Sequence, residues 1–289
     1  MAFLISNGVN MYEEYWGFTE KPFQNTPDPR FFYFSAQHED ALMKLTYTVA
    51  QDLGCGMLTG IFGCGKTLLA KVLLSELDRE KRYAHAFITN PLVAEPAELL
   101  RAIVRGLNPQ ALPDKKTELL ADPLLEKLSN ILLDNIRDGK KNVVFIDEAQ
   151  TIEDLRLFEQ LRLILNFQLE NRFMLTLLIL GQPELKEKIE SLKPFDQRVV
   201  VRCHLGALSE DEVARYINHR LKVAGRTDIE EKPIFDFPAI KLISQYSGGI
   251  PRRINTLCDF ALMSTSAKKS QDIGSDLIES VIKDFNIAK

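Results

Sequence analysis

A glycine-rich octapeptide has the residue types that point most directly to chemistry. Residues 60–67 read Gly-Ile-Phe-Gly-Cys-Gly-Lys-Thr, which fits the pattern GxxxxGK followed by Ser or Thr. An apolar run precedes the octapeptide and helical spacing of apolar residues follows it, so the loop should join a strand to the start of a helix. Backbone N–H groups in such a loop can surround phosphate oxygens. We therefore expect a nucleotide to contact Gly60, Gly63, Cys64, Gly65, Lys66, Thr67 and Leu68.

A pair of carboxylates about eighty residues further along the chain is the expected complement of this loop. The apolar run 143–146 ends in Asp147 and Glu148. Lys66 should reach the terminal phosphates, and the Thr67 hydroxyl should bind Mg²⁺. Asp147 should hold the same ion, directly or through water, while Glu148 orients and deprotonates an attacking water. The residues predict binding of ATP with Mg²⁺, and hydrolysis rather than transfer to a small acceptor.

The composition is that of an ordinary globular protein. The chain has 289 residues, of which 45% are hydrophobic and 26% charged, and this argues against disordered, collagen-like and membrane-spanning classes. A net charge of −4 gives no global attraction to nucleic acid, although a local basic patch remains possible. Four cysteines without metal-ligand spacing fit a reducing compartment, and we find neither a basic leader nor a run long enough to span a bilayer. We expect a cytoplasmic protein.

Alternating apolar runs and amphipathic stretches predict the elements that position these residues. Five runs read as strands of a parallel sheet with crossover helices, near residues 57–59, 83–88, 143–146, 173–180 and 199–201. Beyond residue 208 the strands stop, Ser209 and Glu212 form a capping-box pattern, and further helices are predicted at 239–246, 251–266 and 275–285. The predicted fold is α/β, with a core at 37–208 and a small all-helical domain at 209–289.

The first 36 residues form an aromatic and proline-rich segment, which we call the strap. It lacks clear periodicity, and so much aromatic surface would be a liability if it were exposed. Two interpretations remain open. The strap either packs on the domain behind it or provides a surface for a peptide or another partner.

The two motifs resemble those of AAA+ ATPases, and the resemblance extends to other residues. It implies a P-loop core with a five-stranded parallel sheet, a helical lid domain, and a homo-oligomer with active sites between subunits. A polar sensor would follow a later strand, where Gln182 stands, although Asn, Ser or Thr is more usual there. An arginine finger for the neighbouring subunit's nucleotide would precede the last strand, where Arg198 is the candidate and Arg202 the competitor.

The lid sequence 247–253 contains a Gly-x-Pro-Arg pattern that resembles the family's second sensor. By this resemblance Arg252 would contact the γ-phosphate. The adenine would lie near His38, Tyr216 and Ile217, although each could equally be an ordinary core or surface residue. Cys64 occupies a loop position where a small residue or threonine is common. Either the cysteine is simply small enough to fit, or its oxidation controls ATP binding.

Within this family the chain is similar to the ExeA/GspA-type ATPases of the general secretion pathway. The similarity extends from Met11 to the lid and includes Trp16-Gly17-Phe18, the string Asp-Glu-Ala-Gln at 147–150 and Gly-Gln-Pro-Glu-Leu at 181–185. It implies conformational work on a protein assembly of secretion or the envelope, coupled through a separate partner. Residues 1–10 would be an extension or an early start. Two alternatives stay open, namely a DNA-bound switch like the transposition-helper ATPases and a non-hydrolysing, nucleotide-gated adaptor.

Overall fold

The computed structural model describes residues 12–89, 91, 95–111, 120–169, 172–270 and 272–284. The chain divides into two units. One, the helical unit, contains the strap up to residue 35, residues 63–65 and the chain from residue 207 onward. The other, the α/β unit, contains residues 36–62 and 66–206. The strap and the helical domain thus fall in the same unit, and the predicted domain boundaries 1–36, 37–208 and 209–289 stay predictions. Residues 1–11, including the suggested extension, lie outside the described residues.

The α/β unit is built on a five-stranded sheet in which every strand pair is parallel, in the order β2-β3-β6-β1-β7. The strands are β1 (Cys55–Gly60), β2 (Tyr83–Ile88), β3 (Lys141–Ile146), β4 (Gln168–Leu169), β5 (Arg172–Phe173), β6 (Thr176–Gly181) and β7 (Val199–Leu205). Every residue of β1 and β6 is buried, as expected for a parallel sheet covered on both faces. The predicted α/β class and parallel five-stranded sheet are confirmed.

Two strands differ from their predicted limits. The run 173–180 is not one strand, because β5 pairs antiparallel with β4 and the sheet strand begins only at Thr176. The Met174 N–H donates to the Phe167 carbonyl and so keeps this part of the backbone in the hairpin. β7 continues past the predicted 199–201 to Leu205, and its exposed Arg202 and His204 hide the edge strand from a search for apolar runs.

The described residues form helices before, between and after these strands. They are α1 (Glu13–Trp16), α2 (Ala36–Ala50), α3 (Lys66–Glu80), α4 (Pro96–Leu107), α5 (Ala121–Arg137), α6 (Leu155–Ile164), α7 (Glu184–Ser191), α8 (Lys193–Asp196), α9 (Glu210–Val223), α10 (Phe237–Ser247), α11 (Pro251–Lys268) and α12 (Ser275–Asp284). The capping box at the start of α9 is present in both directions. The helical domain also has one parallel β-bridge, between Phe235 and Ile273, which the sequence did not predict. No helix among the described residues is both long enough and apolar enough to cross a membrane.

The strap packs on the helices of the helical unit. Five of its buried aromatic side chains share one core with residues of α9 to α12, namely Tyr12, Trp16, Phe18, Phe23 and Phe31. The indole N–H of Trp16 donates to the Leu262 carbonyl at 3.2 Å. This packing removes the aromatic surface from water, which supplies the driving force that holds the strap in place.

A buried arginine on α9 fixes the strap by its backbone. Arg220 is 4% exposed, and its guanidinium donates to the carbonyls of Pro22 at 2.6 Å and Gln24 at 3.0 Å. It also donates to the Tyr216 hydroxyl at 3.0 Å and lies 4.8 Å from the centre of the Phe31 ring. A buried cation is tolerated only when its donors are satisfied, and here the strap provides two of the acceptors.

We predict that Arg220→Met loosens the strap. The substitution keeps an unbranched apolar stem but leaves two carbonyls and a hydroxyl without their donor. The helical unit should lose about 3 kcal/mol or more, since each of the three unpaired acceptors costs at least about 1 kcal/mol. Trp16 is the chain's one tryptophan, so its fluorescence during urea unfolding reports on this unit. The control is Lys222→Met, also on α9, which removes a solvent-exposed ion pair with Glu230 and should leave the urea midpoint nearly unchanged. Equal effects of the two variants would contradict the assignment.

Candidate nucleotide-binding site

The loop that follows β1 has the backbone of an anion cradle. Gly63 and Gly65 adopt φ angles of 83° and 103°, which side-chain-bearing residues rarely adopt. The 15-residue helix α3 starts immediately afterwards, at Lys66. The first N–H groups of a helix have no partner within the helix and carry partial positive charge. The loop and helix together therefore present donors suited to phosphate oxygens.

Lys66 lies inside this loop rather than extending into water. It is 5% exposed, and its Nζ donates to the carbonyls of Gly60 at 2.8 Å and Ile61 at 3.1 Å. The positive charge is thus held among the backbone groups that would surround a phosphate. Both bonds are to neutral acceptors, so an anionic phosphate oxygen would be the stronger partner.

The Thr67 hydroxyl and the Asp147 carboxylate meet although their residues lie far apart in the sequence. Thr67 Oγ1 donates to Asp147 Oδ2 at 2.6 Å. The contact follows from topology, because α3 starts at the carboxyl end of β1 and Asp147 follows β3, and both strands end at the same edge of the sheet. The backbone holds Asp147 in place, since its N–H donates to the Ile88 carbonyl at 2.8 Å and its Oδ1 accepts from the Glu148 N–H at 2.9 Å.

The environment of Asp147 disfavours its charge. The residue is 3% exposed. Burial raises the pKa of the Asp147 carboxyl above its ordinary value, and the hydrogen bonds from Thr67 and the Glu148 N–H oppose that shift. A carboxylate that is desolvated in this way costs stability until a cation compensates it.

These two oxygens fit the ligand preferences of Mg²⁺. The ion favours hard oxygen donors and is usually held by one or two carboxylates together with substrate phosphates. A complete cage of protein ligands is not expected at such a site, and no group of three or more His, Cys, Asp or Glu side chains suited to a metal occurs among the described residues. The Thr67 hydroxyl and Asp147 carboxylate, 2.6 Å apart, would provide the protein's share of the ligands.

Glu148 has a strained backbone next to this pair. Its φ and ψ are 53° and 35°, in the left-handed region. For a residue other than glycine this conformation costs about 1–3 kcal/mol and persists only where its surroundings hold it. Here the Thr151 N–H and hydroxyl both donate to the Glu148 carbonyl, at 2.9 and 2.8 Å. Strain of this kind clusters at functional sites.

Gln182 lies at the same end of the sheet and is linked to Glu148 by Gln150, a residue to which the sequence analysis gave no role. Gln182 follows β6, and its N–H donates to Gln150 Oε1 at 3.0 Å. The Nε2 of the same amide donates to Glu148 Oε2 at 2.6 Å. Gln150 was visible in the sequence only as part of the string 147–150. The available signal was a glutamine two residues after Glu148. Its contact with the Gln182 N–H could not be seen in the sequence.

Arg198 lies at the amino end of the sheet strands, whereas the loop 60–67 lies at their carboxyl end. It precedes β7, whose first residue pairs with Cys55, whereas Gly60 at the loop end of β1 pairs with Leu205. At about 3.3 Å per residue, the length of the strand puts Arg198 roughly 20 Å from the loop. Its guanidinium donates to the Asn166 side chain at 2.8 Å. Arg198 is therefore too far from the loop to contact a nucleotide bound there.

Comparison with known proteins identifies the family. Residues 46–189 match the AAA domain family. Over 265 residues, 91% of this chain, the sequence is 37% identical to general secretion pathway protein A from Aeromonas hydrophila. The chain belongs to the AAA+ ATPases, in the ExeA/GspA branch. It covers 46% of that relative, so it spans about half of the relative's length.

Solved AAA+ structures share this fold. Cdc6p from Pyrobaculum aerophilum gives a TM-score of 0.70 at 16% identity, over 89% of this chain and 70% of that one. ORC1 from Aeropyrum pernix, solved in complex with DNA, gives 0.67 at 16% identity, over 92% and 69%. Identities this low establish the AAA+ fold and nothing more specific.

The other predicted site residues of this AAA+ chain lie on α2, α3, α9 and the loop. His38 in α2 is 4% exposed, and Ile217 in α9 is fully buried. Tyr216 is 6% exposed, and its hydroxyl donates to Asn255 Oδ1 at 2.8 Å. These are core positions, and adenine contact by them stays a prediction. Leu68 is partly exposed in α3, and Cys64 is buried in the loop.

Arg252 is the second residue of α11, and its role as a γ-phosphate sensor also stays a prediction. Its backbone N–H donates to the Gly63 carbonyl at 3.2 Å, and both residues belong to the helical unit. The contact involves only the backbone of Arg252.

Asp147→Asn should stabilise the AAA+ chain when nucleotide and metal are absent. Because burial raises the pKa of Asp147, the folded state loses stability as the pH rises from the ordinary pKa of about 3.9 through the raised value. We expect the variant's unfolding midpoint at pH 7 to increase by a few degrees, since 1 kcal/mol corresponds to roughly 2–4 °C in a domain of this size. The gain should disappear near pH 4.

The measurement is a pH series of thermal unfolding with a chelator present. Asp138→Asn, at an exposed position at the end of α5, serves as the control and should leave the midpoint unchanged. A lower midpoint for Asp147→Asn at pH 7 would show that the carboxylate stabilises the ligand-free protein, contrary to this prediction.

Proposed function

We propose that this AAA+ protein binds ATP with Mg²⁺ at the loop 60–67 and hydrolyses it to ADP and phosphate. One observation carries the proposal. The lysine, hydroxyl and two carboxylates that the chemistry needs converge at one edge of the sheet, with Thr67 Oγ1 2.6 Å from Asp147 Oδ2. The start of α3 and the turn after β3 meet there. Their strands, β1 and β3, lie on either side of β6 and run in the same direction.

Each residue has a separate task in binding. Lys66 exchanges its hydrogen bonds to two loop carbonyls for charge-assisted bonds to the terminal phosphates. The Thr67 hydroxyl and the Asp147 carboxylate would hold the ion, and its charge would compensate that of the buried carboxylate. When bound, Mg²⁺ would neutralise charge on the β- and γ-phosphates.

Glu148 acts in the hydrolysis step. As the oxygen of a water molecule forms a bond to the γ-phosphorus, the Glu148 carboxylate accepts a proton from that water. The bond between the γ-phosphorus and the bridging oxygen breaks, and the electron pair leaves with ADP. Gln182, after β6, is the proposed sensor beside this reaction.

We predict that Glu148→Gln binds ATP with wild-type affinity but releases phosphate at least about 100-fold more slowly, as expected for loss of a general base. Isothermal titration calorimetry measures binding, and a phosphate-release assay measures hydrolysis. Lys66→Ala is the comparison and should lose ATP affinity itself. Full turnover by Glu148→Gln would remove the base assignment. Tight binding by the wild type without phosphate release at any protein concentration would instead favour the non-hydrolysing adaptor.

We further propose that Arg198 completes the active site of a neighbouring subunit in a homo-oligomer. Three features support Arg198 over Arg202. Arg198 lies at the edge of the sheet away from its own loop. Its guanidinium bonds a neutral amide and so keeps its charge uncompensated by that contact. Arg202 pairs instead with the Asp196 carboxylate at 2.7 Å.

Mixing experiments test this arrangement. Arg198→Ala and Glu148→Gln should each hydrolyse ATP at least about 100-fold more slowly than wild type. Their mixture should recover part of the activity, because a subunit with intact Glu148 can then receive Arg198 from the other variant. Arg202→Ala is the matched control and should stay near the wild-type rate. Two results would contradict the shared site. One is a mixture no more active than the sum of the two variants, and the other is a hydrolysis rate per subunit that does not depend on protein concentration.

Similarity to general secretion pathway protein A supports conformational work on a protein assembly of secretion or the envelope as the output of hydrolysis. A DNA-bound switch is the second candidate, since ORC1 with a related fold was solved in complex with DNA. Steep salt-dependent stimulation of hydrolysis by duplex DNA would favour that candidate. Affinity capture with ATP-loaded Glu148→Gln should identify the client. A cytoplasmic location stays a prediction.

A further inference from the structure

One side-chain amide connects the proposed base to the end of another strand. Gln150 Nε2 donates to Glu148 Oε2 at 2.6 Å, and Gln150 Oε1 accepts from the Gln182 N–H at 3.0 Å. The two partners fix the direction of the amide, because an ionised carboxylate can only accept and a backbone N–H can only donate. A single planar group therefore spans the residue after β3 and the residue after β6.

The surroundings hold this amide in place. Lys188 on α7 donates its Nζ to the carbonyls of Gln150 at 2.7 Å and Ile152 at 2.6 Å, which fixes the turn that carries the amide. The last residue of β6 leaves room for it. A Cβ on Gly181 would lie 2.7 Å from Gln150 Oε1, a distance that real Cβ contacts do not reach. Turn, helix and strand end thus form one frame around the amide.

We propose that Gln150 is a positioning residue that fixes the Glu148 carboxylate for the attacking water and couples its orientation to the carboxyl end of β6. The inference rests on the proposed ATP hydrolysis. A glutamate has three side-chain torsions, and its backbone here is already in a strained conformation. The charge-assisted bond from Gln150 selects one orientation among these rotamers. Because Gln150 binds the base and not the loop 60–67, its loss should affect turnover and spare ATP affinity.

Two substitutions separate the donor from the acceptor of the amide. Gln150→Met keeps a similar length and removes both functions. Gln150→Glu keeps an oxygen for the Gln182 N–H but places a carboxylate against Glu148. We expect both variants to lower kcat at least about tenfold, since small misplacements of a reacting group are costly. The Kd for ATP should stay within about twofold of wild type, because neither change touches the phosphate loop. Gln51→Glu, the same chemical change at an exposed position, is the control and should have no effect.

A donor–acceptor exchange tests the contact without nucleotide. Gln150→Glu should lower the thermal unfolding midpoint, because two carboxylates would then face each other where a 2.6 Å hydrogen bond stood. The double variant Glu148→Gln/Gln150→Glu restores a donor and an acceptor in reversed order. It should recover most of the midpoint while remaining inactive. A double-mutant cycle over these proteins gives the coupling between positions 148 and 150.

The outcomes separate this inference from the proposed function. If the wild type hydrolyses ATP and Gln150→Met does so equally fast, the positioning role is overturned and the function stands. A drop in kcat that is matched by an equal loss of ATP affinity, or an absent coupling in the cycle, also overturns it. If the wild type does not hydrolyse ATP, the proposed function fails, and a coupling found in the cycle would then mark the amide as a structural bond only.

Discussion

The parallel direction of the sheet strands is the constraint on which the site depends. Strands that run the same way end at the same edge, so whatever follows β1, β3 and β6 is brought together whatever its distance in sequence. Thr67 and Asp147 meet at 2.6 Å for this reason alone. The same constraint sends Arg198, which precedes its strand, to the far edge. One topological rule thus places the phosphate loop and Arg198 at opposite ends of the strands.

The site holds several groups in arrangements that cost stability. Asp147 is a buried carboxylate whose charge is disfavoured, Glu148 has a left-handed backbone, and Lys66 satisfies its ammonium with loop carbonyls. An anionic nucleotide with its cation would provide stronger partners for Lys66 and Asp147. Functional sites commonly lose some folding stability because their binding groups are held in place before the ligand binds. The surrounding sheet, with β1 and β6 entirely buried, provides the stability that tolerates these groups.

Sequence patterns predicted what depends on neighbours in the chain. The run 83–88 matches β2 in full, and the capping box at Ser209 marks the start of α9. Patterns failed where a contact between two segments decides the structure. The hairpin β4–β5 interrupts an apolar run because Met174 bonds to Phe167. The strap showed its aromatic residues in the sequence but not its acceptors for Arg220, which lies almost two hundred residues away. Such contacts have no local signature.

The identity of residue 182 shows how a distant contact changes the interpretation of a motif. The family resemblance favours Asn, Ser or Thr there, so a glutamine looks like a departure that weakens the sensor. The bond that links position 182 to the proposed base uses its backbone N–H, through Gln150. Every residue except proline has that donor. The connection therefore places little demand on the side chain at 182 and a strict one on the amide at 150 and the missing Cβ at 181. At this end of the sheet, the sequence requirements fall on the residues around Glu148 and not on the side chain at position 182.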